Sequence, residues 1–240
     1  MSDQHSSPDP EQTGRALQAT AIAEQSEMEA AGASKSDRLA ALAQRASVCT
    51  ACGLYATRNS VVFGEGNAEA PLMFIGEGPG QNEDATGRPF VGRSGALLDA
   101  CLRENSILRK HIYICNVIRC RACAREAGRI NNRLPTPAEA SACAPWLEQT
   151  IHIVQPYVIV CLGSPAANGI IQRGFKLMQD RGKWFETRYT RYAMATLHPA
   201  YILRQEGEAY EAARRSLVAD IASARQKVIE AKREPRITLF

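Results

Sequence analysis

The chain has 240 residues, of which 45% are hydrophobic, and its formal net charge at pH 7 is +4. This length and apolar content favour one substantial core with tails, and the mild positive charge permits nucleic-acid binding without requiring it. No apolar run approaches the roughly 20 residues that a membrane span needs, and the start lacks the basic and apolar regions of a signal peptide. We therefore expect a cytoplasmic protein without membrane contact.

The first part of the chain differs in composition from the rest. Its residues are mostly Ser, Gln, Glu and Ala without a sustained apolar face, which predicts a disordered or weakly helical arm. Residues 36–46 then carry apolar side chains at helical spacing and lead into Cys49-Thr-Ala-Cys52, which predicts a helix ending at a C-x-x-C motif. We predict three regions: an arm at residues 1–35, a main domain at 36–225 and a tail at 226–240.

Strands and helices alternate along the main domain. Short apolar runs predict strands at residues 60–63, 72–75, 112–118, 157–162 and 193–197. Helical patterns follow at residues 94–104, with Ser94 as the expected N-cap, and at 137–154, 165–172 and 208–232. Alternation of this kind is typical of an α/β fold, here a three-layer α/β/α sandwich with helices on both faces of a mainly parallel sheet.

The loop after the strand at residues 72–75 carries the first candidate site residues. It reads GEGPGQNEDATG, and in open α/β sheets ligands bind just beyond the carboxyl ends of strands. Glu77 and Glu83 place two carboxylates there, and glycines such as Gly78 let the backbone approach a substrate closely. The loop lacks both GK[ST] and G-x-G-x-x-G, which argues against a phosphate cradle.

Two further polar residues follow other predicted strands. Asn116 ends the strand in HIYICN, and His198 follows the strand in AMATLHPAY. Taken separately, Asn116 could be a turn residue and His198 a hydrogen-bonded core histidine. Because parallel strands end at the same edge of a sheet, both side chains can converge on the Glu77 loop. With Phe90 from GRPFVG, the sequence predicts a pocket that combines carboxylates, an amide, an imidazole and an aromatic ring.

Eight cysteines in a cytoplasmic chain indicate reduced thiols or a metal site, not disulfides. Three of them lie in apolar helix or strand runs and are assigned to the core: Cys101, Cys115 and Cys161. Cys49 and Cys52 have a spacing at which two thiolates can bind one metal centre, and they need two more ligands. Our choices are Cys120 and Cys143.

Cys123 competes with Cys120, because Cys120-Arg-Ala-Cys123 is a second C-x-x-C motif. Four cysteines could hold either zinc or an iron–sulfur cluster, and their spacing in the sequence leaves both open. Unmetallated surface thiols are the remaining alternative, although exposed free cysteines are a redox liability.

Taken in order, several stretches of the chain resemble the successive motifs of one enzyme family. They are GEGPGQNED with TGRPFVGRSGALLD, then NVIRC, NRLPTPAEASAC and LHPAYILR. These motifs are similar to those of the family 4 uracil-DNA glycosylases, the iron–sulfur branch of that superfamily, over residues 49–204. The resemblance implies a monofunctional enzyme of base excision repair, which flips uracil out of DNA, hydrolyses its N-glycosidic bond and leaves an abasic site.

The resemblance also implies roles for individual residues. The ligands of a [4Fe-4S] cluster would be Cys49, Cys52, Cys120 and Cys143. Glu77, Glu83 and His198 match the catalytic positions, and Phe90 and Asn116 match the residues that stack on uracil and read its edge. A carboxylate such as Glu77 can place water and favour an oxocarbenium-like sugar, while a neutral His198 can donate to uracil O2.

DNA contacts are expected from the loops around the pocket, with apolar residues as a wedge and arginines near phosphates. The candidates are Arg88, Arg93, Arg119, Arg121, Tyr201, Ile202, Leu203 and Arg204. Ordinary solvated surface charge is the alternative for the first four arginines. Uracil-containing DNA, single- or double-stranded, is the expected partner of a monomeric protein.

Two features depart from the family pattern or add to it. The segment between Cys120 and Cys143 is longer than expected and basic, but it contains no histidine, which argues against covalent capture of uracil DNA through such a residue. The chain ends in Ile-Thr-Leu-Phe, which resembles the short peptides that dock on the replication sliding clamp. Two rival functions stay open: a non-catalytic uracil-DNA binder and a zinc-stapled hydrolase of free nucleotides.

Overall fold

The computed structural model describes residues 9–126 and 129–234. The helices in this part of the chain are α1 (Pro10–Ala30), α2 (Lys35–Ser47), α3 (Gln81–Thr86), α4 (Arg93–Glu104), α5 (Pro137–Val154), α6 (Ser164–Ile170), α7 (Leu177–Asp180), α8 (Pro199–Ile202) and α9 (Gly207–Ala231). The strands are β1 (Glu65–Gly66), β2 (Leu72–Gly76), β3 (Tyr113–Asn116), β4 (Cys123–Glu126), β5 (Arg129–Asn132), β6 (Val158–Leu162), β7 (Trp184–Phe185) and β8 (Tyr192–Thr196). No described helix has the length and apolar character that crossing a bilayer requires.

Six strands form the central sheet in the order β1-β3-β2-β6-β8-β7. The four inner strands run parallel, and the short strands β1 and β7 pair antiparallel at the two edges. Met73 and Ile75 belong to the core on one face of the sheet, while Phe74 between them belongs to the core on the other. A strand buried on both faces reads as a continuous apolar run, which is why residues 72–75 were recognisable in the sequence.

The helices cover both faces of the sheet. Apolar side chains of α2, α5 and α6 pack on the face that includes Ile75, and those of α4 and α9 pack on the face that includes Phe74. The predicted α/β/α sandwich with a mainly parallel sheet is therefore confirmed. Helix α5 begins and ends as predicted. Its start is fixed by a capping box of Thr136 and Glu139 and by Pro137 in the first turn.

Two local predictions are wrong. Residues 60–63 form no strand, although Val62 N donates to Arg119 O over 2.8 Å, and the edge strand β1 begins only at Glu65. Ser94 does not cap α4, because the helix begins at Arg93 after Gly92, whose lack of a side chain leaves no capping hydrogen bond.

The N-terminal segment differs from the predicted disordered or weakly helical arm. Helix α1 spans 21 residues and packs on α2 and α5. Its buried positions are Gly14, Gln18, Ala21 and Gln25, and both glutamines donate hydrogen bonds to main-chain oxygens. Small and polar residues therefore form the contact face, so the sequence shows no apolar stripe.

The boundaries at the C-terminus also shift. The limit predicted between residues 225 and 226 falls inside α9, and Val228, beyond that limit, packs in the core. The Ile-Thr-Leu-Phe end of the predicted tail lies outside the described residues. The extra segment after Cys120 forms an antiparallel hairpin of β4 and β5, in which Cys123 pairs with Asn132.

Candidate active site and four-cysteine site

A groove of about 1050 Å³ opens at the carboxyl ends of the parallel strands. Glu77 follows β2, Asn116 ends β3 and His198 follows β8, and all three line the groove together with Phe90. The structure thus brings together four residues that the sequence separates by up to 121 positions. Sheet register is the cause, because Gly76 at the end of β2 pairs directly with Asn116.

Glycines let these groups approach one another. A Cβ atom at Gly76 would lie 2.5 Å from Asn116 Oδ1 and 2.6 Å from Phe90 Cζ. A Cβ atom at Gly78 would lie 2.7 Å from Ile118 Cγ1. Both distances to carbon are too short for a real contact, so any side chain at either position would displace the wall of the groove.

Asn116 presents an unsatisfied acceptor. Its side chain is only 2% exposed, and its Oδ1 atom has no hydrogen-bond partner within the described part of the chain. A buried acceptor without a partner costs about 1–3 kcal/mol. A ligand with an N–H group at this point would satisfy it.

Phe90 has a main-chain conformation that is rare for a residue with a side chain, with φ at +53°. Arg109 holds this turn by donating to Pro89 O over 3.0 Å and to Phe90 O. Arg109 is fixed in turn by ion pairs with Glu65 and with Asp99, the latter at 2.7 Å. The ring is therefore positioned by a network of charges behind it.

Glu83 supports the same turn from the groove side. Its Oε1 atom accepts from Val91 N over 2.9 Å and from Gly92 N over 2.8 Å. These two hydrogen bonds connect α3 to the start of α4 across the Phe90 loop. The geometry indicates a carboxylate that positions the loop, although Glu83 also lines the groove.

His198 is held as a neutral donor. Its Nδ1 atom accepts from Ala200 N over 3.0 Å at the start of α8, so the proton of the neutral ring resides on Nε2. The pKa of His198 is lowered to about 4, mainly because the ring is buried; the positive charge of Arg204 contributes to the lowering and Glu83 opposes it. The imidazole is uncharged near pH 7, and its ring centroid lies 5.9 Å from that of Phe90.

Glu77 completes the groove with a carboxylate. Burial raises the pKa of Glu77 above its ordinary value, because removal from water disfavours the charged form. A partly desolvated carboxylate of this kind can orient water or stabilise positive charge on a substrate.

The second site is separate from the groove and shares no lining residue with it. The cysteines that line one small cavity are Cys49, Cys52, Cys120 and Cys143. Cys123 is not among the residues that line it, so the geometry favours Cys120 in the competition between the two. Cys101, Cys115 and Cys161 are fully buried in the core, as predicted.

Several N–H groups point at the sulfur atoms of this four-cysteine site. Trp146 Nε1 lies 3.3 Å from Cys49 Sγ, and Arg58 Nη1 lies 3.5 Å from Cys120 Sγ. Such donors stabilise thiolates that are bound to a metal, so the residues present fit a centre with four sulfur ligands. Within residues 9–126 and 129–234, no three His, Cys, Asp or Glu side chains could together hold a single metal ion.

Comparisons with known proteins show the family of this chain. Residues 63–222 match the family model described as the uracil DNA glycosylase superfamily. The type-4 uracil-DNA glycosylase of Thermotoga maritima is 41% identical over 77% of this chain and 91% of its own length. The chain belongs to the type-4 uracil-DNA glycosylases.

A second type-4 relative agrees with this assignment. The type-4 uracil-DNA glycosylase of Saccharolobus solfataricus is 35% identical over 70% of this chain and 78% of its own length. A crystal structure of SMUG2 from Pedobacter heparinus covers 68% of this chain and 77% of its own, with a TM-score of 0.49 and 14% identity.

The rim of the groove in this type-4 glycosylase only partly matches the predicted DNA contacts. Arg93, Tyr201 and Arg204 are exposed and line the groove. Leu203 is half-buried against the core, and Ile202 is fully buried, so Ile202 cannot act as a wedge.

The other predicted arginines point elsewhere. Arg88 is exposed but pairs with Glu65 over 2.9 Å. Arg121 is only 8% exposed and donates from Nε to Asn132 Oδ1 over 2.7 Å, and Arg119 is 1% exposed. The prediction that Arg119 and Arg121 contact DNA is wrong, because both guanidinium groups are enclosed by the protein.

Two functional residues escaped the sequence reasoning. Arg109 holds the Phe90 turn, yet it lies in a short basic run with no distinguishing pattern. Asp84 is 1% exposed and accepts from Asn59 N over 2.9 Å, which ties α3 to the preceding loop. Its place beside Glu83 in the acidic run was the one available signal.

Proposed function

We propose that this protein is a monofunctional uracil-DNA glycosylase that hydrolyses the bond between deoxyribose C1′ and uracil N1 in DNA and leaves an abasic site. The observation that carries the proposal is the buried Oδ1 atom of Asn116, which lacks a partner among the described residues. It faces a groove that also presents the Phe90 ring, a carboxylate and a neutral imidazole. Family membership supports the same reaction.

Recognition of the base follows from these groups. The target nucleotide leaves the base stack, which costs a few kcal/mol and is cheapest at a mispair. The flipped uracil stacks on Phe90, and Asn116 accepts from uracil N3–H and donates to O4. Cytosine reverses the donor and acceptor at both atoms, so it would leave two buried polar groups unpaired.

Bond cleavage places positive charge on the sugar and negative charge on the leaving base. His198 Nε2–H donates to uracil O2 and stabilises the departing anion, a role that needs the neutral ring with its proton on Nε2. Glu77 orients the attacking water and stabilises the oxocarbenium-like sugar. Glu83 holds the Phe90 loop through Val91 and Gly92, so we assign it a positioning role.

The four-cysteine site is proposed to hold a [4Fe-4S] cluster. Its ligands would be Cys49, Cys52, Cys120 and Cys143. When bound, the cluster supplies a cross-link between the end of α2, the segment after β3 and helix α5. Four cysteine ligands suit zinc as well as a cluster, and the likeness to the type-4 uracil-DNA glycosylases, the iron–sulfur branch of the superfamily, is what favours the cluster.

DNA is proposed to cross the rim of the groove. Arg93 and Arg204 lie at positions suited to phosphates, and Tyr201, which is 36% exposed, can fill the space that the flipped base leaves. The final residues, 237–240, are proposed to dock on a sliding clamp. Deleting the last five residues should abolish clamp binding, and unchanged affinity would remove that part of the proposal.

The deciding experiment measures release of free uracil from an oligonucleotide that contains uracil opposite guanine. Wild-type protein should release uracil, while Glu77→Gln and His198→Ala should lose most of the rate and still bind the DNA. Binding without release by wild-type protein would favour a non-catalytic lesion binder. Equal hydrolysis of free deoxyuridine monophosphate would favour the nucleotide hydrolase.

A further inference from the structure

Arg119 is a fully buried cation between the two sites. It lies three residues after Asn116 and directly before Cys120, and its side chain is 1% exposed. The oxygen atoms that accept from its guanidinium are neutral: Nη1 donates to Asn116 O over 3.1 Å and Nη2 to Thr150 Oγ1 over 2.9 Å. The Nε atom has no partner within the described residues.

A guanidinium in this position is costly unless a negative group lies nearby. The Phe63 ring, 5.0 Å from Arg119 Cζ, offers only a partial negative charge. A permanent charge that is removed from water therefore needs a counterion that the neutral acceptors do not provide.

The four-cysteine site is the candidate for that counterion. Arg119 lines its cavity, and the main-chain N of Arg119 donates to Cys143 Sγ over 3.3 Å. In a [4Fe-4S] cluster, the negative charge of the four thiolates and the inorganic sulfides together exceeds the positive charge of the iron ions. The negative charge of the cluster would then compensate the positive charge of the buried guanidinium.

The other end of Arg119 fixes the base-reading strand. The carbonyl that accepts from Nη1 belongs to Asn116, the residue whose side chain presents the unsatisfied Oδ1 to the groove. Thr150, which accepts from Nη2, donates in turn to Trp146 O over 2.7 Å within α5. Helix α5, the four-cysteine site and the end of β3 thus meet at one side chain.

We propose that Arg119 is a positioning residue that couples the four-cysteine site to uracil recognition: its charge is balanced by the bound cluster, and its guanidinium fixes the main chain of Asn116. This inference rests on the proposed function. Loss of the cluster would leave the charge of Arg119 uncompensated, and the Asn116 side chain that recognises uracil would then be held less firmly.

Arg58 provides a matched control. It also lines the four-cysteine cavity, and its Nη1 atom lies 3.5 Å from Cys120 Sγ. Its remaining hydrogen bonds go to the carbonyls of Cys49 and Ser47, not to the end of β3. Substitution of Arg58 therefore changes the charge beside the cluster without touching Asn116.

The test compares Arg119→Met, Arg119→Lys and Arg58→Met, each purified with its iron and checked for folding by circular dichroism. One measurement is the midpoint potential of the cluster, followed by visible absorbance. The other is the inhibition constant of free uracil, which reports the base-reading groups without the chemical step.

Arg119→Met should lower the midpoint potential, because a positive charge beside the cluster is lost, and should raise the uracil inhibition constant about tenfold. Arg119→Lys should keep the midpoint potential, because the positive charge stays beside the cluster. It should still weaken the binding of uracil, because an ammonium group cannot reproduce the two hydrogen bonds of the guanidinium to Asn116 O and Thr150 Oγ1. Arg58→Met should lower the potential and leave the uracil constant unchanged.

Any one of three results would overturn the inference. Arg119→Met could show wild-type values in both measurements, or Arg119→Lys could leave the uracil inhibition constant unchanged. The third is that Arg58→Met raises the uracil inhibition constant as much as Arg119→Met does. If Arg119→Met does not fold, Thr150→Val replaces it in the test, because this substitution removes the acceptor of Arg119 Nη2. Thr150→Val should raise the uracil inhibition constant and leave the midpoint potential of the cluster unchanged. Wild-type protein that lacks iron or releases no uracil would instead refute the proposed function.

Discussion

The groove and the four-cysteine site use opposite designs within one sandwich. The groove is open, and sheet register positions three of its four groups, Glu77, Asn116 and His198, at the ends of parallel strands. The four-cysteine site is closed by helices, and its residues come from the end of α2, the segment after β3 and the middle of α5. One region is open to a substrate that enters and leaves, and the other brings together cysteines from elements that lie far apart in the sequence.

The comparison predicts that activity and stability can be lost separately. His198→Ala removes one donor to the leaving base, so kcat for uracil release should fall about 10²- to 10³-fold, as for other oxyanion donors. Its thermal unfolding midpoint should stay near that of wild type. Steady-state kinetics and calorimetry on the same preparation check both points. A large loss of stability would mean that the groove also supports the fold.

Cys143→Ser should show the converse behaviour. The variant should lose most of its iron, and its thermal unfolding midpoint should fall by roughly 10 °C, because a metal bound only by the folded state stabilises it. Activity per folded molecule at low temperature should fall less than in His198→Ala. Cys161→Ser, in the core and outside the four-cysteine cavity, controls for loss of a buried thiol. Full iron retention in Cys143→Ser would contradict the ligand assignment.

The pH profile distinguishes the two ionisable groups of the groove. As the pH falls from 7, Glu77 is protonated before His198, because burial raises the pKa of Glu77 whereas the pKa of His198 is lowered to about 4. We expect kcat/KM to drop about tenfold per pH unit below the Glu77 pKa.

Glu77→Gln provides the control for that profile. The slow residual activity of this variant should show no acid limb above pH 4.5, since the titrating carboxylate is absent. Its thermal stability at pH 7 should equal or exceed that of wild type, because burial disfavours the charged form that the substitution removes. An acid limb that persists in Glu77→Gln and vanishes in His198→Ala would reverse the assignment.

The smallest effect should come from helix α1, which packs on the loop between Cys49 and Cys52. A Cβ atom at Gly14 would lie 2.2 Å from Ala51 N, so Gly14→Leu must push the helix away from this loop. We expect iron loss to a chelator to accelerate severalfold, while freshly prepared protein releases uracil at nearly the wild-type rate. Ala16→Leu, at an exposed position of the same helix, is the matched control. Equal rates of iron loss in both variants would show that α1 does not protect the site.

Much of the fold and of the groove was predictable because the signals are local. Doubly buried strands read as apolar runs, and α5 carries its capping box in four consecutive residues. Three of the groove residues, Glu77, Asn116 and His198, lie at or just after the ends of strands. The cysteine pair at the end of α2 was visible from its spacing alone.

The sequence by itself determined the α/β class, the meeting of four groups at one edge of the sheet and a sulfur-rich centre. Only the tertiary structure showed that Cys120, and not Cys123, lines the four-cysteine cavity. It also packed α1 through Gly14 and two glutamines and buried Arg119 between the two sites. The physical reason is that periodicity records how much apolar surface a segment buries. It does not record which distant partner satisfies a buried polar or charged group, and that partner exists only once the layers have packed.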